Sequence, residues 1–405
     1  MRRKRVISKG IAVLLALCLI YTCVVLLSPS VSAQEPVLPE KSDPLALSAR
    51  HAVLLDAQTM QVLYAKDCDT QAAVASTTKI MTALLLLEAG EPELTFITTD
   101  AMVRVEGTSM GLRAGDTVSR YALACGMLLS SGNDAANAAA IHLAGSLPAF
   151  ADLMNRRAAE IGMTRTHFVT PSGLDAEGHV STAYDMALLG AEAIQNASFR
   201  EICSKASIRV SYGNQPFLRT LSNHNRLVRE LPGCVGIKTG FTEKAGRTLV
   251  SAVERDGRLL IAVTLCAPND WEDHRKLYGY GFGQYHPIAL DDADLPVAKM
   301  PIAGGGMSWV NVMLYEIPIA HVRVMPFHIR RELLLRPFEY APLPAGKVVG
   351  VARYYAGDVL LAEVPLVTQA AVEPARPRES KAKQGLWGRL RTWFRRQLSG
   401  RMSSP

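Results

Sequence analysis

Strand patterns stand at both ends of one long region and helical patterns fill its middle, an order that few folds accommodate. Near the front, Ala52-Val53-Leu54-Leu55 and Gln61-Val62-Leu63-Tyr64 flank a turn at Asp56–Thr59, the pattern of a β-hairpin. Far along the chain, Arg247–Val253 and Leu259–Leu265 flank Arg255-Asp256-Gly257-Arg258, a second hairpin, with Ser207–Val210 and Gly236–Thr239 as further strands before it. Between these sets, Ile80, Ala83, Leu84 and Leu87 recur at the spacing of one buried helix face, stopped by Gly90 and Pro92. Tyr121–Leu143 is helical on both sides of an interruption at Ser130–Asp134, Ala149–Ile161 and Tyr184–Ile194 are helical, and Trp271–Phe282 returns to helix. Thr95–Val118 reads as irregular or short strands. The early strands must cross the helices to join the late ones. The spacing therefore predicts an α+β layered domain over residues 46–286, with an antiparallel sheet made from both of its ends.

The flanks read differently. Met1–Gly10 is basic, Ile11–Leu27 is almost wholly apolar, and Ser30-Val31-Ser32-Ala33 ends in small residues, the three parts of a secretory signal over 1–33. The apolar run is also long enough for an uncleaved anchor. Residues 34–45, with Pro36, Pro39 and Pro44, read as a linker, 290–368 as a small all-β domain, and 369–383 as a second linker. In the last segment, 384–400, Leu386, Trp387, Leu390, Trp393, Phe394 and Leu398 share one helical side, with Arg389, Arg395 and Arg396 on the other. That amphipathic pattern predicts a helix lying in a membrane interface.

Charge supports the same division. Arg2, Arg3, Lys4, Arg5 and Lys9 carry +5, and nine basic residues against Glu379 from Arg376 to Arg401 carry +8. Since the whole chain is +7, the body is −6, which argues against nucleic acid as a substrate. Cys18, Cys23, Cys68, Cys125, Cys203, Cys234 and Cys266 contain no C-x-x-C pair. They predict mostly buried free thiols, with one disulfide left open.

Three short stretches carry chemistry. In Ala75-Ser76-Thr77-Thr78-Lys79-Ile80, Ser76 opens a buried helix and Lys79 lies one turn on, on the same side. A serine hydroxyl needs a base to take its proton, and a lysine serves once burial or a second cation lowers its pKa. Ser131-Gly132-Asn133 sits between two helices, where the glycine permits a sharp turn that projects both polar side chains. Lys238-Thr239-Gly240 ends a strand. Each alone is commonplace, a cap, a turn or a strand end. Together, in the order S-x-x-K, S-x-N, K-T-G, with 55 residues from Ser76 to Ser131 and 107 from Ser131 to Lys238, they are specific. Asp175, Glu177 and His179 form another polar group, expected to be a solvated loop rather than a metal or acid/base cluster.

This set resembles the penicilloyl serine transferases. Within them it is similar to the low-molecular-mass penicillin-binding proteins, the serine-type D-alanyl-D-alanine carboxypeptidases of peptidase family S11. Leu129–Ala135, Gly236–Thr242 with Ala245-Gly246, Ser172-Gly173-Leu174, Ser181-Thr182-Ala183 and Asn223-His224-Asn225 extend the resemblance from about residue 46 to the tail. It implies a penicillin-binding/β-lactamase-like catalytic fold and a penicillin-sensitive enzyme trimming peptidoglycan stem peptides ending in D-Ala-D-Ala, outside the cytoplasmic membrane. It also implies Ser76 as nucleophile, Lys79 as base, Ser131 as proton relay, Asn133, Lys238 and Thr239 as substrate contacts, and an oxyanion hole at Ser76 and Phe241, beside Gly240. No cofactor or metal is implied, and β-lactams are the expected inhibitors. A cation for the substrate carboxylate is open among His224, Arg226 and Arg247. The alternatives are a class A-like β-lactamase, whose E-x-x-L-N arrangement is missing from residues 134–237, and a non-catalytic penicillin-binding wall protein.

Overall fold

The computed structural model describes residues 44–292, 294–323, 328–375, 390, 391 and 393. The expected signal over 1–33, most of the first linker, residues 376–383 and nearly all of the C-terminal segment lie outside the described residues.

The front hairpin forms as β1 (His51–Asp56) and β2 (Val62–Lys66). Helix α1 (Lys79–Glu88), β3 (Thr95–Ile97), α2 (Asp100–Val103) and β4 (Thr117–Ser119) come after it. Next come α3 (Arg120–Leu128), α4 (Asn133–Ala144), α5 (Leu147–Ile161), α6 (Ala183–Gln195) and α7 (Ala197–Ser204). The unit closes with β5 (Ser207–Tyr212), β6 (Phe217–Ser222), α8 (Leu227–Glu230), β7 (Cys234–Thr242), β8 (Gly246–Arg255), β9 (Arg258–Leu265) and α9 (Asp270–Gln284). Five strands make an antiparallel sheet in the order β2-β1-β9-β8-β7, so the early hairpin joins the late strands as the pattern requires.

Both faces of that sheet are covered, which explains why its central strands are apolar at nearly every position. On β1, Val53 and Leu55 point to the helical side, into one core with Ile80, Leu84, Leu123, Leu189, Ile237, Val250 and Ile261. Ala52 and Leu54 point the other way, with Leu260 and Ala262, against Leu277 and Tyr278 of α9. A one-residue slip would exchange the two cores, so register is tightly held. Helix α9 is pinned at its start by Asp273, whose carboxylate accepts from Ser48 N, Ser48 Oγ and Ala49 N at 2.7–2.9 Å.

Three local expectations change. Helix α1 is buried on almost every side (Met81, Thr82 and Leu86 as well as Ile80, Ala83 and Leu84), because it runs through the middle of the helical layer. Ser76 is outside it, in a 3₁₀ turn over Ala75–Thr78. Strand β5 pairs only with β6, in a separate hairpin, not with the main sheet.

The β unit begins at β10 (His286–Ala289), with β11 (Ala298–Ala303), β12 (Trp309–Leu314), β13 (Ile319–Val322), β14 (Arg330–Leu335), β15 (Glu339–Tyr340), β16 (Val348–Ala356) and β17 (Val359–Thr368). Six of these form a sheet in the order β14-β16-β17-β12-β11-β15. The stretch from Gln369, expected as a linker, stays packed as far as Ala375: Val372 is buried and pairs with Leu343. At the junction, the Gln61 side chain both donates to His321 O and accepts from His321 N. All five described cysteines are free thiols.

One buried histidine ties the layers together. His274 of α9 is fully buried, 2.7 Å from Ser251 Oγ on β8 and 3.0 Å from Thr264 Oγ1 on β9, and burial lowers its imidazole to about 3. Between about pH 6.5 and 3 the unfolded chain takes a proton there that the native chain refuses. Stability therefore falls as pH falls through that window, by up to about 1.4 kcal/mol per pH unit for this group. His274→Gln should lower stability at pH 7 and show a smaller further loss between pH 7 and 5 in denaturant unfolding. An unchanged pH slope would contradict the assignment.

Candidate active site

The turn that carries Ser76 is shaped by its neighbours. Ala75 sits at φ +48°, a left-handed conformation that is costly for a residue with a Cβ. Gly173, at φ +80°, lies where any Cβ would strike Ala75 O and Thr78 Oγ1. From the other side, a Cβ on Gly240 would meet Thr248 Oγ1 and come within 2.9 Å of Ser76 N and 3.1 Å of Thr77 N. Two glycines thus let the 170–175 loop and β7 press against the turn, at positions no larger residue can occupy.

Lys79 is fully buried. Its Nζ lies 2.9 Å from Ser76 Oγ and donates to Ser172 O at 2.6 Å. Burial, with Lys238 adding to it and Asp134 opposing it, holds the amine well below its ordinary value. Lys238, on β7 and 1% exposed, donates to Thr239 O at 2.8 Å, and burial lowers it to about 7. With Lys79 neutral, its lone pair can accept the proton of Ser76.

Ser131 stands between α3 and α4, and it is Ser131 itself (φ +59°), not Gly132, that takes the left-handed conformation. Asn133 opens α4 and is 4% exposed, with Nδ2 donating to Glu106 O at 2.7 Å. Beside it, Asp134 accepts from Ser109 Oγ and from the backbone N–H groups of Met110, Gly111 and Leu112 at 2.6–3.0 Å. That carboxylate fixes the 106–112 loop over the site. Short-range patterning gave no sign of this role, since the donors come from 22 to 25 residues away.

A cavity of about 300 Å³ is lined by Ser76, Ser131, Thr239, Gly240 and Phe241, together with Thr108, His224, Arg247, Asp270 and Trp271. Five of the eight expected site residues meet on its surface. Lys79 reaches it through Ser76, and Lys238 and Asn133 are buried. Of the three candidate cations, His224 is in the lining, but burial and then nearby Lys238 lower its imidazole and disfavour the charged form; Arg226 is not in the lining and pairs with Glu230. Arg247 is in it, held by Asp270 at 2.9 and 3.0 Å and 5.5 Å from the Trp271 ring centroid. A larger cavity of about 550 Å³ lies at the junction with the β unit and contains none of these residues.

The Asp175, Glu177 and His179 group is not all solvated. His179 is 4% exposed; its Nδ1 accepts from Val169 N and Thr170 N, so Nε2 carries the proton and donates to Thr78 Oγ1 at 2.9 Å. Burial lowers this imidazole to about 4. It braces the loop that supplies Ser172 O. Among the described residues, no group of three or more His, Cys, Asp or Glu side chains is placed to hold a metal ion.

The chain is similar to known proteins. The family model described as D-alanyl-D-alanine carboxypeptidase, peptidase S11, matches residues 38–269. The D-alanyl-D-alanine carboxypeptidase DacF of Bacillus subtilis is 29% identical over 89% of this chain and 95% of its own length. DacC of Escherichia coli, of the same description, is 32% identical over 86% and 89% respectively. The crystal structure of penicillin binding protein 5 from Haemophilus influenzae superposes with a TM-score of 0.68 at 25% identity, covering 83% of this chain and 99% of that one.

The buried amine fixes a pH dependence. With Lys79 as the base that takes the proton of Ser76, acylation by a β-lactam would need the neutral amine, and its second-order rate should fall as pH falls through the lowered pKa of Lys79. Lys79→Arg, whose guanidinium stays charged, should lower that rate about a thousandfold or more across the pH range. Stopped-flow or gel labelling with a fluorescent penicillin measures both. A Lys79→Arg chain acylated at the native rate would remove the lysine from the mechanism.

Proposed function

The chain belongs to the peptidase S11 family of D-alanyl-D-alanine carboxypeptidases, and from that premise we propose how its residues divide the work. It is a serine-type D-Ala-D-Ala carboxypeptidase, a hydrolase that removes the terminal D-alanine from peptidoglycan stem peptides. The observation that carries the assignment of roles is the 2.9 Å contact between buried Lys79 and Ser76 at a cavity also lined by Ser131 and Thr239.

Ser76 Oγ attacks the carbonyl carbon between the two D-alanines while its proton passes to Lys79 Nζ. The backbone N–H groups of Ser76 and Phe241 stabilise the oxyanion that forms. As the C–N bond breaks, Ser131 relays a proton to the departing amine, with Lys238 lowering the cost of that transfer. D-Alanine leaves and an ester to Ser76 remains. Water then attacks the ester and returns the proton to Ser76. Asn133, once its side chain meets substrate, binds the acyl-side amide, and Thr239 the terminal carboxylate at the mouth of the Gly240 strand. A β-lactam enters the same reaction but its amine stays tethered, so the ester persists.

Arg247 is the cation the geometry favours for the terminal carboxylate. Its guanidinium lines the cavity with Ser76 and Thr239, and Asp270, buried at the start of α9, holds it in place without closing all of its donors. The basic, apolar and small-residue order of residues 1–33 supports export, and the amphipathic composition of 384–400 supports attachment to the outer face of the cytoplasmic membrane. Among the described residues no helix is long and apolar enough to cross a membrane.

The deciding assay measures free D-alanine from a peptide ending in D-Ala-D-Ala. The native chain should release it, and Ser76→Ala should lower release about a thousandfold or more. Rapid penicillin turnover without D-alanine release would support a β-lactamase instead, and stable penicillin labelling without release a non-catalytic binding protein. Arg247→Gln should lower kcat/KM roughly ten- to a hundredfold for that peptide and far less for its C-terminal amide. Equal losses on both would remove Arg247 from carboxylate recognition.

A further inference from the structure

The β unit carries a group of exposed aromatic side chains at the place where the described chain leaves it. Strands β11 and β12 turn Met300, Ile302, Val310 and Val312 into the core, so their alternate residues face outward. Outward Pro301 pairs with outward Trp309, and Lys299 Nζ lies 4.1 Å from the Trp309 ring centroid. At the edge of the same sheet, Tyr340 pairs with Ala303 and its ring is 5.2 Å from that of Phe338. Met307 stands in the β11–β12 turn. Trp309 is 46% exposed, Met307 47%, Phe338 44% and Tyr340 67%. Scattered apolar side chains need no explanation, but three aromatic side chains and a methionine around one sheet corner form a patch.

The chain departs from that corner. Pro374 bridges to Gly305, Gly306 N donates to Glu373 O, and Ala375 N donates to Gly304 O. Ten residues then separate Ala375 from Leu386, a reach of at most about 40 Å. The segment from Leu386 onward carries Trp387, Trp393, Phe394 and three arginines, the composition of a membrane-interface helix. The patch also sits at the end of β12 remote from the catalytic unit. From Trp309 the strand runs about 20 Å before β13, where His321 meets Gln61.

We propose that Met307, Trp309, Phe338 and Tyr340 form a second membrane-contact surface, resting in the headgroup interface of anionic lipid beside the C-terminal segment. The proposal rests on the reading of that segment as a membrane contact. Tryptophan and tyrosine favour this interface because their rings are apolar with one polar tip. Lys299, Arg336 and Lys347 against Glu339 and Glu373 leave the corner basic, and Glu339 is occupied by Arg336 at 2.6 Å and Lys347 at 3.0 Å. A sugar platform fits less well, because the nearby polar groups offer it little: Glu339 is doubly paired, and Asn311 donates Nδ2 to Gln369 at 2.7 Å while its Oδ1 is buried from solvent. Two contacts, the tail and this corner, hold the sheet at a fixed angle to the bilayer, and the catalytic cavity at a fixed height above it.

The test uses the full exported chain, purified from membranes and floated with vesicles of phosphatidylglycerol and phosphatidylethanolamine. Trp309→Ser with Tyr340→Ser should lower the partition coefficient about tenfold. Hydrogen exchange should show lipid-dependent protection of residues 304–309 and 338–341. Penicillin labelling at Ser76 should be unchanged, which shows that the variant is folded. A second chain, with Trp387→Ser and Trp393→Ser, reports on the tail alone. If only the tail variant loses binding, and the two loops gain no protection, the corner is overturned and the tail stands. If only the corner variant loses binding, the corner stands and the tail reading falls. A corner variant that binds vesicles normally but loses affinity for insoluble peptidoglycan would overturn the lipid assignment in favour of glycan.

Discussion

Two lysine amines buried near one another are the constraint around which the catalytic unit is arranged. Lys79 is 0% exposed and Lys238 1%, and a like-charged pair out of water is among the least favourable arrangements a fold can hold. The structure meets it by lowering both pKa values and by offering each amine a carbonyl, Ser172 O to one and Thr239 O to the other. Carbonyl acceptors satisfy N–H groups without requiring that the nitrogen be charged. An uncharged amine beside a hydroxyl is what a serine nucleophile needs. The unfavourable burial and the chemistry are one arrangement.

Holding that pair takes most of the surrounding fold. The central sheet is covered on both faces, so β7 and its Lys238 cannot shift without disturbing the core of Ile237, Val250 and Ile261. Two of the non-glycine residues held at positive φ, Ala75 and Ser131, belong to the site: one precedes Ser76 and the other lines the cavity. Those conformations persist because longer-range contacts determine them. His179 braces the Ser172 loop through Thr78, and Asp134 gathers four donors from the loop above the cavity. Gly173 and Gly240 remove the side chains that would otherwise separate these layers.

The β unit is joined to this machinery by a polar contact of defined geometry. Asp56, fully buried, receives the hairpin turn at one oxygen (Gln58 N, Thr59 N and Thr59 Oγ1) and Arg258 at the other, with His321 Nδ1 3.1 Å away. Gln61 pairs with the His321 main chain as a strand neighbour would. A junction of directional bonds fixes an angle in a way that a greasy contact does not. The orientation set there is what relates the catalytic cavity to the corner where the chain leaves the sheet.

The order of strands and helices, the closing of the sheet from both ends and the three motifs were all legible in the chain of residues, because these rest on periodicity, turn chemistry and short spacing. Of the eight residues singled out by those motifs, Ser76, Ser131, Thr239, Gly240 and Phe241 line one cavity, Lys79 lies 2.9 Å from Ser76 Oγ, and Asn133 and Lys238 are buried. The errors of that reading were local. Ser76 stands in a 3₁₀ turn before the helix rather than on it, β6 and α7 are elements beyond the expected ones, and His179 is buried rather than solvated. Which residues support the named ones was settled only by tertiary packing. Asp134, Ser172, Asp270 and Trp271 act across 22 to 93 residues of chain, and Arg247 stands apart from Arg226 by facing the cavity and from His224 by keeping its charge there. Pattern reading sees neighbours within a turn or a strand pair. Burial of a lysine, strain at a serine and the aim of a guanidinium arise only when distant segments meet.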